Sequence, residues 1–197
     1  KLRLACILMD STVTHPRSGA PRYGLVAQAL HWLTAFGLVG SFVLGFIMVE
    51  LAFSPLQLKM YSWHTWLGVC IWLLVLLRLL WRWWRRPPEL PASTPRWQRR
   101  AAHITHAGLY VLLVLIPVTG WLMSSAMGFQ TVVFGMVPLP DLLAKNDALG
   151  ERLALLHSVL NKTLLALILL HVAAALKHQF IDRDGLLWRM LPIRPRT

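Results

Sequence analysis

Residues 152–176 read RLALLHSVLNKTLLALILLHVAAAL. An apolar run of this length is too long for a buried strand and lacks the two-residue alternation of a barrel strand. It suits a helix that crosses a bilayer, which needs about 20 residues because the hydrocarbon supplies no water to satisfy the backbone. Three more stretches read the same way, at about residues 23–49, 60–81 and 103–126. The expectation is an all-α, single-domain, integral membrane four-helix bundle over residues 21–192, with tails at 1–20 and 193–197.

Composition agrees. Of the 197 residues 56% are apolar and only 14% charged, whereas an ordinary soluble domain carries about 25% charge. Those figures exclude intrinsic disorder, and Cys6 and Cys70 alone cannot build a disulfide scaffold. The net charge of +12 raises nucleic acid as a partner. The basic residues lie between apolar runs, however, so membrane lipid is the expected neighbour and nucleic acid is not.

The joints between spans carry ordinary punctuation. Glu50 closes the first, and Ser54-Pro55 opens the next helix. Pro87, Pro88 and Pro91 make an extended linker. Gly128 to Gly150 is a loop with Phe129, Phe134 and Leu142 suited to the interface, and Pro117 is expected to kink the third span. Trp63, Trp81, Trp83, Trp84, Trp97 and Trp188 fall near span ends, where indoles anchor.

Sixteen Lys and Arg flank the first tail, the second linker and the C-terminal tail, against Lys59, Lys145, Arg152 and Lys162 on the other side. That split places both termini in the cytoplasm of a multi-pass protein. Leu4 to Met9 is too short for a span, and Met9 is a candidate start.

Six of the eight histidines lie in or at the edges of the spans: His31, His64, His103, His106, His157 and His171. Ionisable residues at membrane depth are costly and point to function, although any one of them alone is explained by an interhelical hydrogen bond. His157 and His171 are fourteen residues apart, which is about 21 Å along a helix and about 40° around it. Both therefore face the bundle interior, one near each membrane surface. His31 is level with His171, and His64 with His157, so two imidazole pairs are expected, one at each depth.

Opposed imidazoles in an apolar slot suit the axial positions of a haem iron. Zinc prefers four ligands, and no Cys, Asp or Glu accompanies either pair. The sequence has no C-x-x-C-H motif, so two non-covalent b-type haems are expected. A proton relay is the sharpest rival, but it would usually recruit intramembrane carboxylates, and only Glu50 stands even at a span edge.

Arg78 is a candidate partner for a haem propionate, with snorkelling to lipid phosphate as the alternative. His103 and His106 are candidates for propionate or quinone binding, or for replacing one of the assigned ligands; plain interfacial histidines are the alternative. His178, seven residues beyond His171, is a candidate for a quinone site. Gly68, one turn after His64, and Gly37, Gly40 and Gly45 permit close approach of a macrocycle or of another helix. Lys162 is read as snorkelling to the periplasmic surface, with steering of an anionic reactant as the alternative, and His15 as having no specific role.

Gln28-Ala29-Leu30-His31-Trp32, His64-Thr65-Trp66-Leu67-Gly68 with the later Arg78, and Pro117-Val118-Thr119-Gly120-Trp121 resemble the bacterial cytochrome b-561 family, as does His157 with His171 through His178. The resemblance spans about residues 20–192. It implies His31 and His171 on a cytoplasmic-side haem and His64 and His157 on a periplasmic-side haem. It further implies an inner-membrane protein passing electrons between the periplasm and the quinone pool, with superoxide oxidation coupled to ubiquinone reduction as one activity of the family. The periplasmic charges are balanced, Lys59, Lys145, Arg152 and Lys162 against Glu50, Asp141, Asp147 and Glu151, so the sequence offers no electrostatic funnel for an anion. Two other readings stand beside this one: a haem-carrying anchor subunit for a periplasmic dehydrogenase or hydrogenase, and a haem-free transporter or scaffold.

Overall fold

A computed structural model describes residues 22–91 and 94–192. Cys6, Met9, His15 and the two tails of the sequence reading lie outside the described residues. Four long helices dominate: α1 (Leu25–Glu50), α2 (Pro55–Trp84), α3 (Arg96–Ala126) and α4 (Asp147–Lys177). Each contains an apolar window long enough to cross a membrane, with mean hydropathy between 1.7 and 2.1.

The helices reach beyond the apolar runs because local capping extends them. Ser54 caps α2 by accepting from the Gln57 N–H at 3.2 Å, and Pro55 takes the first helical position, where its missing N–H costs nothing. At α4 the Asn146 Oδ1 accepts from Leu149 N–H at 3.1 Å, and Asp147 sits in the first turn, where a negative charge complements the helix dipole. The α3 helix starts at Arg96 and runs without a break through Pro117. Hydropathy alone misses these polar first turns.

The α1 helix packs on α2, α3 on α4, and α2 more lightly on α3. The α4 helix packs closely on neither α1 nor α2. A small buried core of Ile71, Val75, Leu112, Leu113, Ile116 and Leu164 fills the middle of the bundle. Outward-facing positions are apolar instead of polar, with Leu33, Phe36, Val39 and Leu169 all exposed. Such a surface is stable against lipid tails and not against water.

One end of the bundle carries a hairpin that the sequence reading did not anticipate. Strands β1 (Val132–Val133) and β2 (Val137–Pro138) pair antiparallel, turning through Phe134 and Gly135, both with positive φ (53° and 68°). This is the geometry of a tight hairpin turn, and Gly135 takes it without strain. The Trp66 indole donates to the Val132 carbonyl at 2.7 Å and its ring meets Phe134, which ties the hairpin to α2.

The opposite end holds both described termini. A short helical turn at Leu187–Arg189 leads into a strap across the start of α1. Trp32 donates to the Met190 carbonyl at 2.8 Å, Gln28 to Arg189 at 3.1 Å, and Arg22 to Leu191. Arg189, 5% exposed, donates to the Glu89 carbonyl at 2.7 Å and so fastens the strap to the α2–α3 linker. The bundle thus has a hairpin end and a terminal end.

Candidate functional site

Two layers of histidine bridge helices that do not pack closely on each other. At the hairpin end His64 of α2 faces His157 of α4, with ring centres 6.5 Å apart. At the terminal end His31 of α1 faces His171 of α4 at 6.4 Å. The layers are fourteen residues apart on α4, about 21 Å. The apolar core lies between them, with Leu164 of α4 midway and 1% exposed.

The spacing within each pair has chemical meaning. With a metal–nitrogen bond of about 2.0–2.1 Å and about 1.1 Å from nitrogen to ring centre, two axial imidazoles on one iron stand about 6.3 Å apart. Both pairs meet that distance. His106 of α3 lies closer to His171, 5.3 Å between centres, too near for an iron to fit in line between them. The terminal end therefore holds three imidazoles, of which His31 and His171 have axial spacing while His106 and His171 do not.

The hairpin-end rings are oriented from behind. His64 Nδ1 lies 3.1 Å from the Ser41 carbonyl, and His157 Nδ1 lies 3.1 Å from the Ile116 carbonyl. A carbonyl can only accept, so each Nδ1 carries the proton and each Nε2 keeps its lone pair. This is the arrangement that orients a metal-binding imidazole and raises its basicity. Thr119 Oγ1, 3.0 Å from His157 Nδ1, adds a second contact. Glycines make the room: a Cβ at Gly45 would stand 3.5 Å from His64 Cε1, and one at Gly120 only 3.2 Å from His157 Cε1.

The terminal-end rings lack equivalent support. His31 Nδ1 is buried without a hydrogen-bond partner among the described residues. Arg78 lies over the Tyr110 ring, 5.5 Å from its centre, and is close enough to His31, His106 and His171 to act on all three electrostatically. A b-type haem suits this donor set: paired imidazoles, apolar walls, no thiolate or carboxylate among the described residues of either layer, and nothing within 4 Å of a Cβ built at Gly68 to hinder a flat ring's approach.

The remaining predicted residues fall elsewhere. His178 begins a widened turn (His178–Asp182), and its Nδ1 is engaged by Asp184 at 2.6 Å and Asp182 at 3.2 Å. Lys177 pairs with Asp182 at 2.5 Å, so the cluster reads as a salt-bridged knot that ends α4. His103 is exposed, and shares with His106 the wall of a cavity between α2, α3 and the linker. Lys162 is exposed on α4. Sequence reasoning missed the Ser41 and Ile116 carbonyls and the role of Tyr110. The small polar pair Thr119-Gly120, at the depth of His157 in an otherwise apolar span, was the one signal available.

Four membrane-crossing helices carrying stacked imidazole pairs at axial spacing describe a membrane cytochrome of the bundle type. Comparison with known proteins agrees: the sequence profile of prokaryotic cytochrome b561 matches residues 22–192. "Cytochrome b561 homolog 2" of Escherichia coli (strain K12) is 38% identical over 172 residues, covering 86% of this chain and 91% of that one. "Cytochrome b561 homolog 1" of the same organism is 28% identical over 182 residues, 88% and 98% of the two chains. "Probable superoxide oxidase CybB" of Yersinia pestis is 26% identical over 182 residues, 87% and 96%.

The chain belongs to the prokaryotic cytochrome b561 family. That membership implies b-type haem, electron transport and a multi-pass place in the inner membrane.

Proposed function

We propose that this chain holds two b-type haems, one between His31 and His171 and one between His64 and His157, and passes single electrons between the periplasmic face and ubiquinone in the membrane. The observation that carries the reading is the recurrence of axial spacing, 6.4 and 6.5 Å, in two layers bridging helices that do not pack closely on each other. The haem supplies the one-electron chemistry when bound. The chain's residues hold the imidazoles, fix the layer separation and keep water out with the core around Val75 and Leu164.

The basic residues of the tails and of the α2–α3 linker favour a cytoplasmic terminal end and a periplasmic hairpin end. Arg78, beside the terminal-end imidazoles, is the partner for a propionate there. The quinone belongs near that haem; the engagement of His178 by two aspartates argues for the surroundings of His103 and His106 over His178 itself. Superoxide, the substrate in the name of the Yersinia pestis relative, is the first donor to test. A periplasmic redox protein is the second.

The test is a reduced-minus-oxidised absorption spectrum of detergent-purified protein with haem per chain measured as pyridine haemochrome. Two b-type haems are expected, and one in the His157→Ala variant. Colourless wild-type protein, or a His157→Ala variant with both haems, would sink the reading.

A further inference from the structure

Arg78 and Arg82 stand one helical turn apart on α2, at the terminal-end edge of its apolar run. No carboxylate among the described residues forms an ion pair with either. Arg78 has Tyr110 to rest on. Arg82 instead faces a cavity of about 390 Å³ whose wall also includes Tyr23, Arg99, His103 and His106. The acid in that wall is Glu89, itself exposed. Arg99 is already committed in part, donating to the carbonyls of Thr94 at 3.0 Å and Pro91 at 2.9 Å.

Cations near the hydrocarbon without a counter-charge are costly, so a donor-lined chamber of this kind calls for an anion. Two sources carry suitable oxygens: the carboxylates of a haem and the phosphate of a lipid. The inward side of the chamber favours the first. His106 belongs both to the cavity wall and to the imidazole cluster, 5.3 Å from His171.

We propose that the Arg82 cavity is a carboxylate site that receives one propionate of the terminal-end haem while Arg78 receives the other. Two guanidiniums for two carboxylates fix which edge of that haem faces the cavity. Positive charge at its edge also favours the reduced iron and so raises the midpoint potential of that haem. The proposal rests on the two-haem reading above.

The experiment compares full-length wild type, Arg82→Gln and Arg82→Lys in redox titrations and in haem retention against apomyoglobin as competitor. Charge-assisted bonds are the strong ones, so Arg82→Gln should release one of the two haems about tenfold faster and lower one midpoint potential, leaving the other in place. Arg82→Lys should keep most of both properties. In protein stripped and reloaded with haem dimethyl ester, which has no free carboxylate, wild type and Arg82→Gln should behave alike. Should Arg82→Gln fail to accumulate, wild type decides: ester-loaded protein must lose one haem faster than haem-loaded protein.

Equal retention and potentials in wild type and Arg82→Gln overturn the proposal. So does a difference that persists with the ester, or one that appears only when anionic phospholipid is present, which would assign the cavity to a lipid phosphate. Wild type without haem would fail the two-haem reading as well; two haems indifferent to Arg82 would fail this inference alone.

Discussion

Gly120 offers a test of how tightly the hairpin-end imidazole is held. A Cβ there would lie 3.2 Å from His157 Cε1, 3.6 Å from Nδ1 and 4.0 Å from Nε2, so it would press on one edge of the ring. Carbon contacts are comfortable from about 3.5 Å, and alanine therefore asks the ring to retreat by about 0.3 Å. A functional side chain tolerates displacement of about 0.5 Å. Valine adds carbons about 1.5 Å further out, beyond what the ring can give while its Nδ1 remains 3.1 Å from the Ile116 carbonyl and 3.0 Å from Thr119. Loss of such an orienting contact weakens a metal site by about 10–100-fold. Gly120→Ala should therefore keep two haems with modestly faster loss of one, and Gly120→Val should purify with one. The assay is pyridine haemochrome per chain, with helix content by circular dichroism as the check on folding. Gly120→Val protein with two haems and an unchanged spectrum would refute the reasoning. Loss of both haems together would refute it too, because the substitution would then act through the whole bundle.

Two further outcomes follow from the packing. Leu164→Ala, at a side chain 1% exposed between the histidine layers, loses little transfer energy in lipid, since lipid tails are as apolar as Leu. What remains is a cavity of about 80 Å³ at about 24 cal/mol per Å³, or ~2 kcal/mol, measured by unfolding in sodium dodecyl sulfate; an unchanged midpoint would mean that the layer collapses to fill the space. Asn146→Ala removes the cap on Leu149 N–H and should cost about 1 kcal/mol in the same assay, with haem content unaffected.

The four spans, the two histidine layers and the matching depths of His31 with His171 and His64 with His157 were legible because each depends on local arithmetic. An apolar run long enough to cross hydrocarbon forms its own helix, and a rise of about 1.5 Å per residue converts sequence separation into depth. The start of α2 at Ser54-Pro55 was equally local and was read from the sequence, whereas the cap at Asn146 was overlooked.

Rotation of one helix against another is not local, and here the tertiary structure decided. It set His106 beside His171, too close for an iron between them. It chose the Ser41 and Ile116 carbonyls as the backing for His64 and His157. It placed Tyr110 beneath Arg78 and opened Arg82 onto a cavity of basic and imidazole donors. The hairpin on Trp66 and the strap from Arg189 to Leu191 over the start of α1 join residues far apart in the chain. Depth follows from counting residues along one helix; which side chains meet at that depth follows only from how the four helices turn their faces toward one another.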